Sequence, residues 1–266
     1  MKRFVKTAVL PSAALFALVL STTACDVVFQ GMNAQATDEW KRTYKLSDGG
    51  QFHLSNPNGA IEVTPSVDAT TVEVVAARRA RASSEAAAKE ELKNIQITDQ
   101  VTPTSIRIEV ARRSDSGLHM GRGGREVSFK IKVPRNAAVT LETRNGEVHV
   151  TGLSGSVKVD SSNGPIVGED LSGPVLAGTT NGAVRIQVAA LHPEGIRLDT
   201  TNGAIDLKIP ADARANISAR WVNGGFRTSG IDPEGQRERR RFEGKLNGGG
   251  PRIELSTTNG GIHISG

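Results

Sequence analysis

From Val139 to Ile264 apolar and polar residues alternate in short runs, and successive pairs of runs meet at Asn-Gly. The same figure occurs seven times: two alternating apolar residues, two mostly small polar residues, Asn-Gly, then two more alternating apolar residues. The seven steps are Asn58-Gly59, Asn145-Gly146, Asn163-Gly164, Asn181-Gly182, Asn202-Gly203, Asn223-Gly224 and Asn259-Gly260. Six and four residues before each asparagine stand pairs such as Val139 and Leu141 or Ile196 and Leu198. Three and five after it stand pairs such as Val148 and Val150 or Ile205 and Leu207. A period of two gives each run one apolar and one polar face, as in a half-buried strand. Asn-Gly tolerates positive φ, which predicts a turn at each step.

From Asn145 to Asn259 the steps are 18, 18, 21, 21 and 36 residues apart, the last roughly a double step. A period near twenty marks a stacked-repeat architecture. Two folds fit. In a meander, each Asn-Gly would close an antiparallel hairpin; in a β-solenoid, each repeat is one coil, stacked about 4.8 Å from the next. A second recurring corner favours the solenoid: Leu153-Ser154-Gly155 returns as Leu171-Ser172-Gly173, and Leu191 to Gly195 holds the matching place. A single coil buries too few side chains to offset the ordering of its backbone, so the coils must fold together. The expected fold is all-β, a parallel β-helix-like solenoid of 18–21-residue coils over 139–266.

The part before it, 41–138, reads as a small strand and helix elaboration. Arg42–Leu46, Gln51–Leu54, Thr71–Ala77, Ile106–Val110 and Val127–Val133 read as strands, and Arg112–Arg125 as a Gly/Arg/Ser loop. Ser84 is placed to cap a short helix over Glu85–Asn94 that would cover an open end or edge of the sheet. Residues 1–24 read as an export signal, with Lys2, Arg3 and Lys6 ahead of an apolar stretch too short to span a membrane. The boundary Thr22-Thr23-Ala24-Cys25 resembles a bacterial lipobox, with Thr22 where that motif usually has Leu. The resemblance implies lipid on Cys25, the sole cysteine, followed by a tether over 25–40.

Charge changes little. The formal net charge is +5, but removal of the three leader lysine and arginine residues leaves 30 basic against 28 acidic. That balance argues against nucleic acid as a partner. One basic cluster, Arg237, Arg239, Arg240 and Arg241, is a candidate anionic-surface patch, with Glu234, Glu238 and Glu243 close by.

The polar columns offer no chemistry. Four residues after each asparagine come His149, Val167, Arg185, Asp206, Arg227 and His263. Stacking in sequence order would make Arg185, Asp206 and Arg227 neighbours. It would hold His149 and His263 at least five coils apart, about 24 Å, too far to share one metal ion. Glu142 with Asp160, and Asp199 with Arg220, imitate the groups of a polysaccharide lyase but fall at solvent-facing positions. No nucleophile elbow, phosphate loop or cysteine ligand set occurs. The chain is therefore expected to be no enzyme, with no cofactor, and its asparagines to form a structural ladder.

From about Gln51 onward the repeats, with the segment Gly248-Gly249-Gly250-Pro251-Arg252-Ile253-Glu254-Leu255 leading to Thr258-Asn259-Gly260, resemble the bacterial putative-adhesin family of domains of unknown function. The resemblance implies an extracytoplasmic β-solenoid in the cell envelope, without catalytic residues. It suggests a membrane-anchored surface scaffold or binding module, whose partners are a wall polymer, a surface protein or an envelope regulator. Some relatives resemble envelope-stress components, which gives an alternative: an accessory that recognises antimicrobial peptides or damaged wall material. A carbohydrate-active enzyme is the third and weakest reading.

Overall fold

The computed structural model describes residues 34–111 and 124–266. The export signal, Cys25, the tether up to residue 33 and residues 112–123 of the Gly/Arg/Ser loop lie outside the described residues. In chain order the elements are β1 (Ala34–Lys45), β2 (Gln51–Asn58), β3 (Ile61–Pro65), β4 (Thr71–Ala82), α1 (Glu85–Lys93), β5 (Ile97–Thr102), β6 (Ser105–Val110) and β7 (Arg125–Val133). There follow β8 (Ala138–Asn145), β9 (Val148–Thr151), β10 (Val157–Asn163), β11 (Ile166–Leu171), β12 (Val175–Asn181), β13 (Val184–Val188), β14 (Ile196–Asn202) and β15 (Ile205–Lys208). The chain continues through β16 (Ala215–Asn223), β17 (Phe226–Ser229), β18 (Glu234–Arg237), β19 (Arg241–Leu246), β20 (Arg252–Asn259) and β21 (Ile262–Ser265). The strand β1 already includes residues 34–40 of the segment expected as a tether, because it pairs along its whole length with β4.

The described strands form two sheets. One runs β1-β4-β7-β3-β9-β11-β13-β15-β21-β17; the other runs β18-β19-β16-β20-β14-β12-β10-β8-β2-β6-β5. Every strand that carries an Asn-Gly figure pairs in parallel with the same strand of the next rung. The fold is therefore a solenoid and not a meander. Its inner columns are aliphatic and closed to solvent: Leu141, Val159, Ala177, Leu198 and Leu255 in one sheet, Val148, Ile166, Val184, Ile205 and Ile262 in the other.

The rungs do not stack in sequence order. At the C-terminal end β20–β21 sits between β14–β15 and β16–β17. The opposite end is built in the same way: β2–β3 sits between β6–β7 and β8–β9. Antiparallel strands then finish much of both ends: β1 and β4 against β7, β5 against β6, and β19 with β18 against β16. Such endings blunt the unpaired edges that a parallel stack would otherwise offer to another chain.

Two polar columns fix the register. The asparagine side chains form a ladder along one corner: Asn163 donates to Asn145 at 2.9 Å, Asn181 to Asn163 at 2.8 Å, Asn202 to Asn181 at 2.8 Å, Asn259 to Asn202 at 2.7 Å and Asn223 to Asn259 at 2.8 Å. Asn58, at the head of the stack, instead donates to the Arg125 carbonyl. Two residues before three of the asparagines, buried hydroxyls reach the glycine carbonyl of the preceding rung: Thr179 to Gly164, Thr200 to Gly182 and Thr257 to Gly203. At the last rung that column ends in Trp221, which stacks on Phe226, which in turn stacks on Phe242 of the terminal hairpin.

Positive φ, as the turn expectation requires, accounts for glycine at Gly59, Gly146, Gly164, Gly224 and Gly260, but it is not the whole reason. No ladder asparagine has positive φ; among the described non-glycine residues only Asp170 and Asn247 do. Gly182 and Gly203 lack it as well, yet a Cβ on Gly203 would lie 1.9 Å from the Gly182 carbonyl oxygen. Close approach of one rung to the next demands glycine here. The second corner repeats the rule, since a Cβ on Gly173 would meet the Gly155 carbonyl oxygen at 2.1 Å.

Helix α1 forms where Ser84 predicts it. The Ala87 amide donates to the Ser84 hydroxyl at 3.2 Å, and buried Ala88 and Leu92 pack it on β1 and β4.

Candidate functional site

The inward columns are closed, so recognition is left to the outward ones. In the sheet that begins at β18, the residues five before each asparagine run, in spatial order, His53, Thr140, Lys158, Leu176, Arg197, Glu254 and Ser218. Those three before it run Ser55, Glu142, Asp160, Gly178, Asp199, Ser256 and Arg220, and Arg241 of the hairpin lies beside Arg220. Glu142 and Asp160 are therefore neighbours, whereas Ser256 separates Asp199 from Arg220.

Leu176 and Gly178 leave a dip in this field of longer side chains. A cavity of about 330 Å³ lies over Leu176 between Lys158, Arg197 and Arg252. It shares Arg197 and Glu254 with a second of about 190 Å³, bordered by Asp199, Ser218 and Arg220. A third of about 580 Å³ shares Arg252 with the first and Ser218 with the second, and runs over Gly235 and Gly244 in the hairpin. Their shared walls make one groove across seven neighbouring strands, from β10 through β12, β14, β20 and β16 to β19 and β18 of the hairpin.

The groove is lined by guanidinium groups already held in place. Arg197 reaches Asp199 at 3.1 Å and Glu254 at 3.3 Å, and Arg252 reaches the other oxygen of Glu254 at 2.6 Å. These pairs are exposed and contribute little to stability. Their chemical use is orientation: fixed guanidinium forks meet carboxylate or phosphate with two parallel hydrogen bonds, and Glu254 and Asp199 accept from hydroxyl or amine groups. No aromatic face lines the groove, so stacking against a sugar ring is not part of its chemistry.

The arginine patch lies at the tip of the β18–β19 hairpin, where the charge run reads as a loop in the sequence. Its four members differ. Arg237 lies 5.9 Å from the centre of the Trp221 ring, and Arg241 is paired with Glu243. Arg239 and Arg240 face solvent with no charged partner among the described residues. Arg241 and Arg220 together connect the patch to the groove.

The opposite face corrects one column. His263 lies between Asp206 and Arg227, because the rung that carries it is inserted there. Arg185 still faces Asp206, at 3.8 Å. His149 and His263 are four rungs apart and not five, about 19 Å, so they still share no ion. The inserted rung also brings Ser229 Oγ within 2.8 Å of His263 Nε2 and Asp206 Oδ1 within 3.7 Å of His263 Nδ1. That arrangement has the composition of a nucleophilic triad but not its geometry. The carboxylate stands outside hydrogen-bond range of the imidazole, on an open sheet face that excludes no water. Sequence reasoning missed the groove as well. Its walls come from rungs that lie side by side only after the insertion.

Comparison with known proteins agrees with the fold. The family model described as Toastrack DUF4097 matches residues 51–265. A structure described as a "putative cell adhesion protein" from Clostridium sporogenes superposes with a TM-score of 0.51 at 12% identity, covering 86% of this chain and 99% of that one. A "putative adhesin" from Bacteroides fragilis gives a TM-score of 0.43 at 14% identity, covering 86% and 96%. No curated protein matches.

Proposed function

The chain belongs to the Toastrack DUF4097 family, and from that premise we propose that it is an adhesin-like, non-enzymatic binding module that holds an anionic surface polymer in the groove between Lys158 and the terminal hairpin. The observation that supports this reading most is the continuity of the groove, with Arg197, Arg252 and Arg220 along it and Arg239 and Arg240 free at its end. Repeating carboxylates or phosphates of a wall polymer would meet successive guanidiniums at the spacing of the rungs. In this proposal lipid on Cys25 anchors the module to the outer face of a membrane. Among the described residues no helix is long and apolar enough to cross one.

The test is co-sedimentation of the full chain with insoluble wall material and with its anionic polymers. Binding that falls at least about tenfold in Arg197→Ala/Arg252→Ala, and weakens with salt, supports the reading. Binding unchanged in that variant sinks it, as does selective capture of a cationic antimicrobial peptide, which would favour the envelope-stress alternative. The anchor is tested separately: labelled palmitate should enter the wild type and not Cys25→Ser.

A further inference from the structure

The Asn-Gly steps of the ladder are chemically alike, and Asn-Gly is the peptide step most prone to spontaneous deamidation. The glycine nitrogen loses its proton and attacks the asparagine Cγ, the side-chain amide leaves as ammonia, and water opens the resulting succinimide to aspartate or isoaspartate. The reaction needs a glycine N–H that is free to ionise and move toward its neighbour.

Six of the seven steps deny it that freedom. Gly59 donates to the Asn145 carbonyl at 2.8 Å, Gly146 to Asn163 at 3.0 Å, Gly164 to Asn181 at 2.8 Å, Gly182 to Asn202 at 3.0 Å, Gly203 to Asn259 at 2.9 Å and Gly260 to Asn223 at 2.9 Å. Each bond ties the glycine to the asparagine carbonyl of the next rung. Gly224 makes no such bond, since β17 is the edge of its sheet and no rung follows. Asn223 also differs in its side chain. It donates to Asn259, but its own Oδ1 accepts nothing from a further ladder asparagine.

We propose that Asn223 is a deamidation site set by the fold, and that modification then spreads inward along the stack in spatial order. Aspartate at 223 replaces the Nδ2 donor with an oxygen facing Asn259 Oδ1. Isoaspartate in addition lengthens the backbone and moves the Asn223 carbonyl away from the Gly260 amide. Asn259-Gly260 then becomes the exposed end of the ladder, followed by Asn202-Gly203. The sequence order would have placed Asn202 next. Because Ser218 and Arg220 lie on the strand that Asn223 ends, the same change loosens one wall of the groove; the deamidation itself does not depend on what the groove binds.

The experiment incubates the folded full chain at mildly alkaline pH in oxygen-18 water and maps labelled peptides by mass spectrometry, with a denatured sample alongside. In denaturant the seven repeat Asn-Gly steps should convert at similar rates. Among the seven repeat steps of the folded protein, Asn223 should convert about tenfold or more faster than Asn163 or Asn181, as expected from freeing one backbone hydrogen bond, with Asn259 second; Asn247-Gly248, in the turn after β19 and outside the stack, is counted apart. Asn163 or Asn181 converting as fast as Asn223 in the folded protein overturns the site. Asn202 converting before Asn259 overturns the inward spread. Asn223→Asp should speed hydrogen exchange of the Gly260 and Ile262 amides several-fold, and unchanged exchange there also counts against the spread.

Discussion

The rungs from β10 to β15 and the C-terminal end from β16 to β21 use the same repeat and solve different problems. Inside the stack every rung meets another of its kind on both sides, so the aliphatic, hydroxyl and asparagine columns continue with few departures. At the end there is no further copy. The chain leaves one slot empty, lays down β16–β17 beyond it, adds an antiparallel hairpin and returns to fill the slot with β20–β21. Three of the chain's few aromatic residues, Trp221, Phe226 and Phe242, gather there to close the core. Repetition builds the middle, and departure from repetition ends it.

The comparison can be broken first at the aromatic closure. Trp221→Ala should cost ~3–5 kcal/mol, with hydrogen exchange rising in β16, β17 and β20 before it rises in β10–β13. Leu198→Ala, in the middle of the stack, should cost ~2–5 kcal/mol and raise exchange in all rungs together. A uniform rise in both variants would show that the end is no separate unit.

Next in size is the close approach at the glycines. Gly203→Ala should destabilise by about 3 kcal/mol or more, because its Cβ has no space beside a backbone oxygen. Gly225→Ala, where a Cβ meets nothing within 4 Å, should stay within about 0.5 kcal/mol. Chemical denaturation of the two variants compares them directly.

The ladder should show a smaller step of the same kind. Asn181→Ala removes two ladder hydrogen bonds and should cost about 1 kcal/mol, and Asn223→Ala removes one and should cost about half as much. Equal losses would mean that the end asparagine is as constrained as an internal one.

The smallest effect belongs to the other end of the stack. Burial, aided by the Arg107 guanidinium, lowers the His53 pKa, while Glu142 and Glu109 partly oppose the shift. The folded chain then binds its proton less readily than the unfolded chain. This stability is whole above pH 6.5 and is lost as pH falls below that value. His53→Gln should flatten that part of a stability-versus-pH curve, read from denaturation midpoints.

The parallel stack, its aliphatic interior and the asparagine column are legible in the sequence because each depends on local spacing. Val157, Val175 and Ile196 fall in one column by counting alone, and Ser84 announces α1. Other features are invisible to counting. Gly168 leaves a gap in an inner column, and a bulge with Asp170 at positive φ lets Leu171 fill it. The hairpin β18–β19 is masked by its run of charge. The triad-like meeting of Ser229, His263 and Asp206, and the groove itself, both need rungs that are distant in sequence to become neighbours.

By itself, then, the sequence determined what a rung is and that rungs stack in register, since alternation and glycine placement act over a few residues and repeat identically. Only the tertiary structure decided the order of the rungs. An Asn-Gly rung can seat on any other, and nothing in a local pattern states which. The choice is made by end surfaces that no further copy covers: a tryptophan in place of threonine at 221, and a hairpin carrying Phe242, leave β16–β17 suited to the outside and β20–β21 to the slot within.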